Sequence, residues 1–388
     1  MRRLVIHIEQ ETTARRSCAI ERGNFASTRL WYDLSEAAPA PREDDAEPYV
    51  VALVMQAMVE GRTLVIRNGT VSRELLSNLT EFRDAWVSWC PDKYSPIDFE
   101  PHTVTDDALV RPIAVAAFSG GVDATFTMWR HTQKTCGYRT QDIRYAAIVH
   151  GFDIPLKNSD AFDNVANRAK PRLARLGVTT IPVSTNFREL VTVPWEDVFA
   201  PAVASVLWQF ATECGTGLLG SSEPYPNLVL PWGSNPVTDP LLAGAAFRAM
   251  HDGASFSRTE KIRQLSQWPE AVDDLRVCWQ GREKDRNCGT CEKCLRTMLN
   301  FRASGLPIPS SFPSLSVKAL RAVRLQNKTV VNEWKLILAA AKARDIREDW
   351  VAMVNRKMTR AHLASVLPLP LKNSVHTFVR RARGLVRK

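Results

Sequence analysis

Two adjacent glycines and an aspartate occur in the sequence Ser-Gly-Gly-Val-Asp at residues 119–123. The preceding run, 113–118, is continuously apolar, as in a buried central strand, and residues 125–131 have a helical pattern. Adjacent glycines allow a sharp turn that brings backbone N–H groups against an anion, and the N-terminus of the following helix favours negative charge. The segment therefore predicts a phosphate-binding turn.

Ser119 and Asp123 are the candidate catalytic residues of this turn. Asp123 is unusual beside a bound anion, and its carboxylate suits either the Mg²⁺ ion that accompanies ATP or a contact that fixes the turn. A tight turn without a ligand is the simpler alternative for two adjacent glycines. The strand before the turn, the helix after it and the position of Asp123 favour phosphate binding.

The motif resembles the Ser-Gly-Gly-x-Asp-Ser loop of the PP-loop ATP pyrophosphatases, with Ala124 in place of the last serine. The resemblance implies a HUP or Rossmann-like doubly wound parallel sheet. It also implies that the loop binds the pyrophosphate portion of ATP while a substrate oxygen takes AMP. The expected ATP-binding residues are Ser119, Gly120, Gly121, Val122, Asp123, Thr125 and His150.

Four of the eight cysteines lie within seventeen residues, at Cys278, Cys288, Cys291 and Cys294. Four thiolates are what a closed tetrahedral zinc site requires, and the two-residue spacings let successive sulfurs turn toward one ion. Because the protein would fill all four positions, the ion would be structural. Spacing alone leaves an iron–sulfur cluster, or unrelated buried cysteines, as alternatives.

Together the two motifs resemble the 7-cyano-7-deazaguanine synthase family, which joins a PP-loop domain to such a cysteine module with an arginine after it, here Arg296. The resemblance covers roughly residues 112–302, about half of the chain. It implies that ATP activates a deazaguanine carboxylate, which ammonia then converts through an amide to a nitrile. The two ends of the chain lie outside it, so the substrate stays open.

The order of predicted strands and helices indicates an α/β fold in four parts. Residues 1–110 form a small α/β unit, and 111–255 form an ATP-binding domain with parallel strands near 146–149, 179–183 and 216–219. A zinc module at 256–305 and a basic helical region at 316–388 complete the chain.

Polar residues after the predicted strands extend the candidate site, since open α/β sheets bind ligands at the carboxyl ends of their strands. His150 and Asp153 follow the second parallel strand, and the loop after the fourth carries Asn235 and Asp239. We expect His150 to contact ATP, and Asp153, Asn235 and Asp239 to recognise the acceptor. A polar turn without a ligand is the alternative for His150 and Asp153.

Arg258 and Lys261 lie at the start of a predicted helix and are further candidates for the substrate site. Two cations there would offset charge on a departing pyrophosphate. Ser257 and Glu260 also form a capping-box pattern, which explains the same segment by structure alone.

The positive charge of the chain is concentrated at its C-terminal end. The net charge is +10, and from Lys318 onward there are 17 Lys and Arg against 4 Asp and Glu. Residues 372–388 predict an amphipathic cationic helix, which suits docking on the protein's own core, a partner chain, or an anionic membrane or RNA. A homo-oligomer is left open.

The sequence as a whole predicts a cytoplasmic enzyme that uses ATP, Mg²⁺ and Zn²⁺. It would adenylate a small-molecule acceptor, a carboxylate on a nitrogen heterocycle, for attack by ammonia or another amine. One alternative is a thiolating or tRNA-modifying PP-loop enzyme, for which only Cys136 and Cys214 lie in the right unit. The other is a non-catalytic nucleotide-binding subunit of a bacterial defence or biosynthetic system, which Ala124 suggests.

Overall fold

The computed structural model describes residues 2–10, 12, 14–23, 25–42, 44–106, 111–325 and 327–366. The predicted tail helix at 372–388 lies outside them. The strands are β1 Arg3–Gln10, β2 Arg15–Glu21, β3 Thr28–Leu34, β4 Thr63–Ile66, β5 Thr70–Ser72, β6 Phe99–Glu100, β7 Thr103–Thr105, β8 Ile113–Ala117, β9 Asp142–His150, β10 Thr179–Thr185, β11 Cys214–Gly220 and β12 Arg248–Asp252.

Helices alternate with these strands in the first two thirds of the chain and dominate the rest. They are α1 Glu47–Glu60, α2 Arg73–Trp89, α3 Val122–Thr132, α4 Ser159–Arg175, α5 Phe187–Leu190, α6 Trp195–Trp208, α7 Arg258–Leu265, α8 Pro269–Val272, α9 Glu292–Ala303, α10 Val317–Ala322, α11 Lys328–Ala343 and α12 Asp349–Val366. Within the described residues, no helix combines the length and apolarity needed to cross a bilayer.

Ten of the strands form one sheet, in the order β12-β11-β8-β9-β10-β3-β2-β1-β4-β6. The five strands from β12 to β10 are parallel, and so are β1, β4 and β6. The links between β10, β3, β2 and β1 are antiparallel. The predicted α/β class with a mostly parallel sheet is confirmed.

The parallel half of the sheet reverses its winding direction at β8. From β8 the chain adds β9 and β10 on one side, then returns to add β11 and β12 on the other. The gap between the loops that leave β8 and β11 is the point where open α/β sheets bind ligands. The turn at 119–123 leaves β8 at this point.

The two faces of β8 are covered by different helices, as the alternation of side chains along a strand requires. Ile113 and Val115 belong to the apolar core that includes α1 and α6. Ala114 and Ala116 belong to a second core, with residues of α3 and α4. Because both faces are buried, the segment is continuously apolar, which is why it could be predicted as a central strand.

A third apolar core joins the cysteine-rich segment and the C-terminal helices to α3. It contains Val122 and Phe126 of α3, Cys278 and Cys294, and Trp334 of α11. The helix that follows the glycine turn therefore packs against the sheet on one side and the C-terminal third of the chain on the other.

Candidate functional site

The glycine turn connects β8 directly to α3. Gly120 has a φ of +74°, a conformation that favours glycine, and Gly121 is extended at the helix N-cap. Gly121 donates its backbone N–H to Oγ of Ser119 at 3.3 Å. The first turn of a helix leaves N–H groups without helical partners, and Gly121 supplies no side-chain cap to α3. The turn thus has the donors that an anion needs.

Two cations from α7 converge on Asp123, in the first turn of α3. Arg258 Nη2 lies 2.6 Å from Oδ2 of Asp123, and Lys261 Nζ lies 3.0 Å from Oδ1. Arg258 is 6% exposed and Lys261 is 1% exposed. Burial alone would raise the pKa of Asp123, but the charges of Arg258 and Lys261 outweigh it and hold that pKa well below its usual range.

The helix α7 is fixed at its start by a capping box, so the predicted structural role of Ser257 and Glu260 is confirmed. Ser257 Oγ accepts the backbone N–H of Glu260, and the Glu260 carboxylate accepts the backbone N–H of Ser257. Arg258 directly follows the cap Ser257 and Lys261 comes three residues later, so the two side chains share a helix face. The capping box and the cation pair therefore coexist in one segment.

A carboxylate from the C-terminal region holds Arg258 from the other side. Glu333 of α11 is 4% exposed, and its Oε2 accepts hydrogen bonds from Arg258 Nη1 at 2.9 Å and Arg296 Nη1 at 3.0 Å. Arg296 Nε also lies 3.0 Å from Oε1 of Glu292. The charges alternate in sign along this chain of contacts, which is the arrangement that makes buried charges tolerable.

The loop after β11 closes against the glycine turn. A Cβ atom on Gly220 would lie 3.0 Å from the backbone carbon and oxygen of Asp123, so glycine permits this close approach. Lys261 Nζ also donates to the backbone oxygen of Ser221. Glu223 is 6% exposed, and burial raises the pKa of its carboxyl group. The turn, the β11 loop and α7 thus form one cluster at the switch point of the sheet.

Arg276 lies beside the same turn, and nothing in the sequence pattern pointed to it. Its backbone N–H donates to the oxygen of Gly120 at 2.9 Å, and its guanidinium donates from Nε to the oxygen of Lys284 at 2.8 Å. Arg276 is 7% exposed, and its Nη2 is buried with no hydrogen-bond partner among the described residues.

The four clustered cysteines come together in the geometry of a metal site. Their sulfur atoms all lie within 4.8 Å of one another, with Cys278 to Cys291 at 3.8 Å and Cys288 to Cys294 at 3.9 Å. Zinc–sulfur bonds of about 2.3 Å in a tetrahedron place the sulfurs about 3.8 Å apart. The residues present therefore fit a tetrahedral metal ion.

Backbone contacts around the cysteines support the same arrangement. Cys288 Sγ accepts the N–H of Cys291 at 3.3 Å, and Cys278 Sγ accepts the N–H of Gly281 at 3.3 Å. Cys291 is the N-cap of α9, where its sulfur accepts the N–H of Cys294. Such donors orient sulfur ligands and favour the thiolate form.

Other predicted residues have different surroundings. The ring of His150 stacks on Phe162 with centroids 4.5 Å apart, and its Nε2 contacts the oxygen of Pro155 at 3.1 Å. Asp153 is partly buried in the loop after β9. Thr125 is 1% exposed, on the buried side of α3. His150 therefore packs against Phe162 at the edge of the sheet and lies outside the cluster around Asp123.

Asn235 and Asp239 fold their own loop. Asp239 is fully buried and accepts hydrogen bonds from Ser234 Oγ at 2.6 Å and the N–H of Asn235 at 3.0 Å, and its Oδ2 lies 2.7 Å from His251 Nδ1. The Asn235 side chain donates to Trp232 and Thr238 and accepts two backbone N–H groups. These polar atoms are occupied within the protein, so acceptor recognition by this pair stays a prediction.

Comparisons with known proteins identify no relative of this chain. No family model matches the chain, and no curated protein and no solved structure matches it. The backbone donors of the glycine turn can bind an anion. Three buried basic residues beside the turn could balance the charge of a polyanion: Arg258, Lys261 and Arg276.

Proposed function

We propose that this protein is an ATP-dependent adenylating enzyme of the PP-loop class, with the HUP-type fold of that class. The observation that carries the proposal is the convergence of Arg258 and Lys261 on the turn that leaves β8 at the switch point. A glycine turn alone binds many anions. Two buried cations against the same helix N-terminus suit a ligand with several negative charges, such as the triphosphate of ATP.

In the proposed reaction an acceptor carboxylate oxygen attacks the α-phosphorus of ATP. The bond from that phosphorus to the bridging oxygen of the β-phosphate breaks, and pyrophosphate leaves with the electron pair. Ammonia or another amine then attacks the activated carbonyl, loses a proton and releases AMP, giving an amide. The acceptor class that we propose is a carboxylate on a deazapurine-like or other small heterocycle.

The residues of the cluster have distinct roles in this proposal. Ser119 and the N–H groups of Gly120 and Gly121 would bind the pyrophosphate oxygens, and Lys261 and Arg258 would stabilise the charge that develops on them. Val122 anchors the first turn of α3 in the apolar core. Asp123 keeps the two cations in place until the ligand binds.

Mg²⁺ would accompany ATP and offset part of the negative charge of its phosphates. The fit of this ion to Asp123 is limited, because both carboxylate oxygens already contact cations. A direct bond from Asp123 to Mg²⁺ would require Arg258 or Lys261 to move onto the phosphates. The role of Asp123 as a magnesium ligand stays a prediction.

Zinc is the ion that we propose for the four-cysteine site, in a structural role. With all four sulfurs engaged, the ion has no open position for a substrate. It would tie the segment around Cys278 to the start of α9, which also carries Arg296.

Thiolation chemistry is less well supported than adenylation. Burial raises the pKa of Cys214 to about 12 and raises that of Cys136 as well. A thiolating enzyme needs a cysteine that ionises readily near neutral pH.

A non-catalytic nucleotide-binding subunit would bind phosphate at the same cluster without turnover. Experiment must therefore distinguish such a subunit from an adenylating enzyme.

Pyrophosphate exchange tests the proposal without knowledge of the amine. The protein is incubated with ATP, Mg²⁺, labelled pyrophosphate and a panel of heterocyclic carboxylates, and label in ATP is counted. We expect exchange only with the correct acceptor, and loss of exchange in Lys261→Met. Arg263→Met, an exposed position on the same helix, is the matched control. ATP binding without exchange across a panel that includes the deazapurine carboxylates would favour the non-catalytic alternative.

A further inference from the structure

We infer that Arg276 is a further phosphate-binding residue of the site, placed against the glycine turn by the cysteine module. The inference rests on the proposed binding of ATP at that turn and adds a ligand-binding side chain to it. The class of ligand is the phosphate chain of a nucleotide.

The backbone of Arg276 lies against the glycine turn. Its N–H donates to the oxygen of Gly120 at 2.9 Å. A Cβ atom on Gly120 would lie 3.9 Å from Cβ of Arg276, and one on Gly121 would lie 3.7 Å from the oxygen of Arg276. The residue therefore runs alongside the turn that presents the backbone donors, within reach of an anion bound there.

The side chain of Arg276 has unused hydrogen-bonding capacity. A guanidinium has five N–H donors, and among the described residues Arg276 uses one of them, from Nε to Lys284. Nη2 is buried without a partner, although Arg276 is only 7% exposed. A buried charged donor without an acceptor is unfavourable, and a phosphate oxygen is the acceptor for which arginine is best suited.

Among the described residues, Arg276 also lacks a carboxylate partner. Within the described part of the chain, Arg258 and Lys261 each pair with Asp123, whereas Arg276 forms no ion pair. The nearby acids are Asp153, which attracts Arg276 without forming an ion pair with it, and Asp285, which pairs with Arg168 of α4. Arg276 thus has no carboxylate counter-ion of its own, whereas Arg258 and Lys261 share Asp123.

The cysteine module fixes this placement. The side chain of Asn287, one residue before Cys288, accepts the backbone N–H groups of Val277 and Cys278 at 2.9 and 3.3 Å. It also donates to the oxygen of Leu275 at 2.7 Å. These three bonds hold residues 275–278 in one conformation, so an ion that binds the four cysteines also orders the segment that carries Arg276.

The test is the binding of ATP and of inorganic pyrophosphate to the full-length protein, measured by calorimetry on wild type, Arg276→Gln and Arg276→Lys. Bound metal and melting temperature are recorded for each. We expect Arg276→Gln to weaken ATP binding at least roughly tenfold, a loss of about 1.4 kcal/mol, with metal content unchanged. Arg276→Lys, which keeps the charge, should recover part of that loss.

Arg286→Gln is the matched control, because Arg286 lies in the same module with a side chain that is 73% exposed. Its affinity for ATP should equal that of wild type. Equal ATP affinity in folded, metal-loaded Arg276→Gln and Arg276→Lys would overturn the role of Arg276 and leave the proposed function intact. A wild-type protein that binds neither ATP nor pyrophosphate would overturn both. If Arg276→Gln does not fold, unchanged affinity in Arg276→Lys decides against the inference, because lysine lacks the planar guanidinium of arginine.

Discussion

Asp123 pairs with Arg258 across 135 residues of sequence, with 2.6 Å between Oδ2 and Nη2. The pair joins the first turn of the helix after the glycine turn to a helix from the cysteine-rich part of the chain. Lys261 occupies the other carboxylate oxygen at 3.0 Å. The aspartate of the motif is therefore a counter-ion for two buried cations, and this gives it a structural role in addition to any role toward a ligand.

Asp123→Ala should reduce both stability and turnover. Removing the carboxylate leaves two cations without their partner, and we expect the free energy of unfolding to fall by roughly 2 to 4 kcal/mol. Turnover should fall by roughly two to three orders of magnitude, because the cations lose their preorganised positions. Urea denaturation measures the first effect. Asp106→Ala is the control, since Asp106 pairs with Arg73 on the surface, and equal stability of the two variants would contradict the account.

The stabilising effect of Asp123 should depend on pH in a defined direction. The pKa of Asp123 is lowered in the folded protein, so its ionised form stabilises the fold above the unfolded pKa of about 3.9. That stability is lost as the pH falls through the lowered pKa. The difference in unfolding free energy between wild type and Asp123→Asn should therefore be constant from pH 7 to about pH 5 and shrink below about pH 4. A difference that widens on acidification would contradict this.

Glu333→Ala should show whether the C-terminal region supports the phosphate cluster. The change leaves Arg258 and Arg296 without their shared acceptor, so we expect a loss of roughly 3 kcal/mol in unfolding free energy and weaker ATP binding. Glu348→Ala is the control, because Glu348 pairs with Arg302 and is 37% exposed in its side chain. Wild-type ATP affinity in a folded Glu333→Ala protein would show that α11 is unconnected to the site.

The four-cysteine site should contain about one zinc ion per chain, and folding should depend on it. Elemental analysis of protein purified without added metal gives the content, and thermal unfolding with and without a chelator gives the stability. Cys291→Ser should lose metal and solubility, whereas Cys136→Ser, outside the cluster, should keep both. Iron with visible absorbance, or a well-folded protein without metal, would contradict the zinc assignment.

Much of the fold could be predicted from local patterns in the sequence. The apolar run at 113–118 forms β8, the four cysteines lie together, and the predicted cap at Ser257 starts α7. Each of these features depends on residues close together in the chain. No strand was predicted at Arg15–Glu21 or Arg248–Asp252, because both carry charged residues at their ends and only short apolar stretches.

The parts of the cluster that escaped prediction depend on distant contacts. Glu333 reaches Arg258 across 75 positions, and Arg276 meets the glycine turn through its backbone, which no side-chain pattern encodes. Asn235 and Asp239 suggested a ligand because their loop follows a predicted parallel strand, at the edge where open α/β sheets bind ligands. The hydrogen bonds that close that loop on itself explain the same residues without a ligand.

The position at which ATP is cleaved distinguishes adenylation from the release of inorganic phosphate. ATP labelled in the α-phosphate and ATP labelled in the γ-phosphate are each incubated with the zinc-loaded protein, Mg²⁺ and the carboxylate that supports pyrophosphate exchange. If the protein adenylates its acceptor, we expect labelled AMP or acyl-adenylate from the first substrate and labelled pyrophosphate from the second. Both products should form only in the presence of the acceptor. Labelled ADP from the first substrate and inorganic phosphate from the second would contradict adenylation.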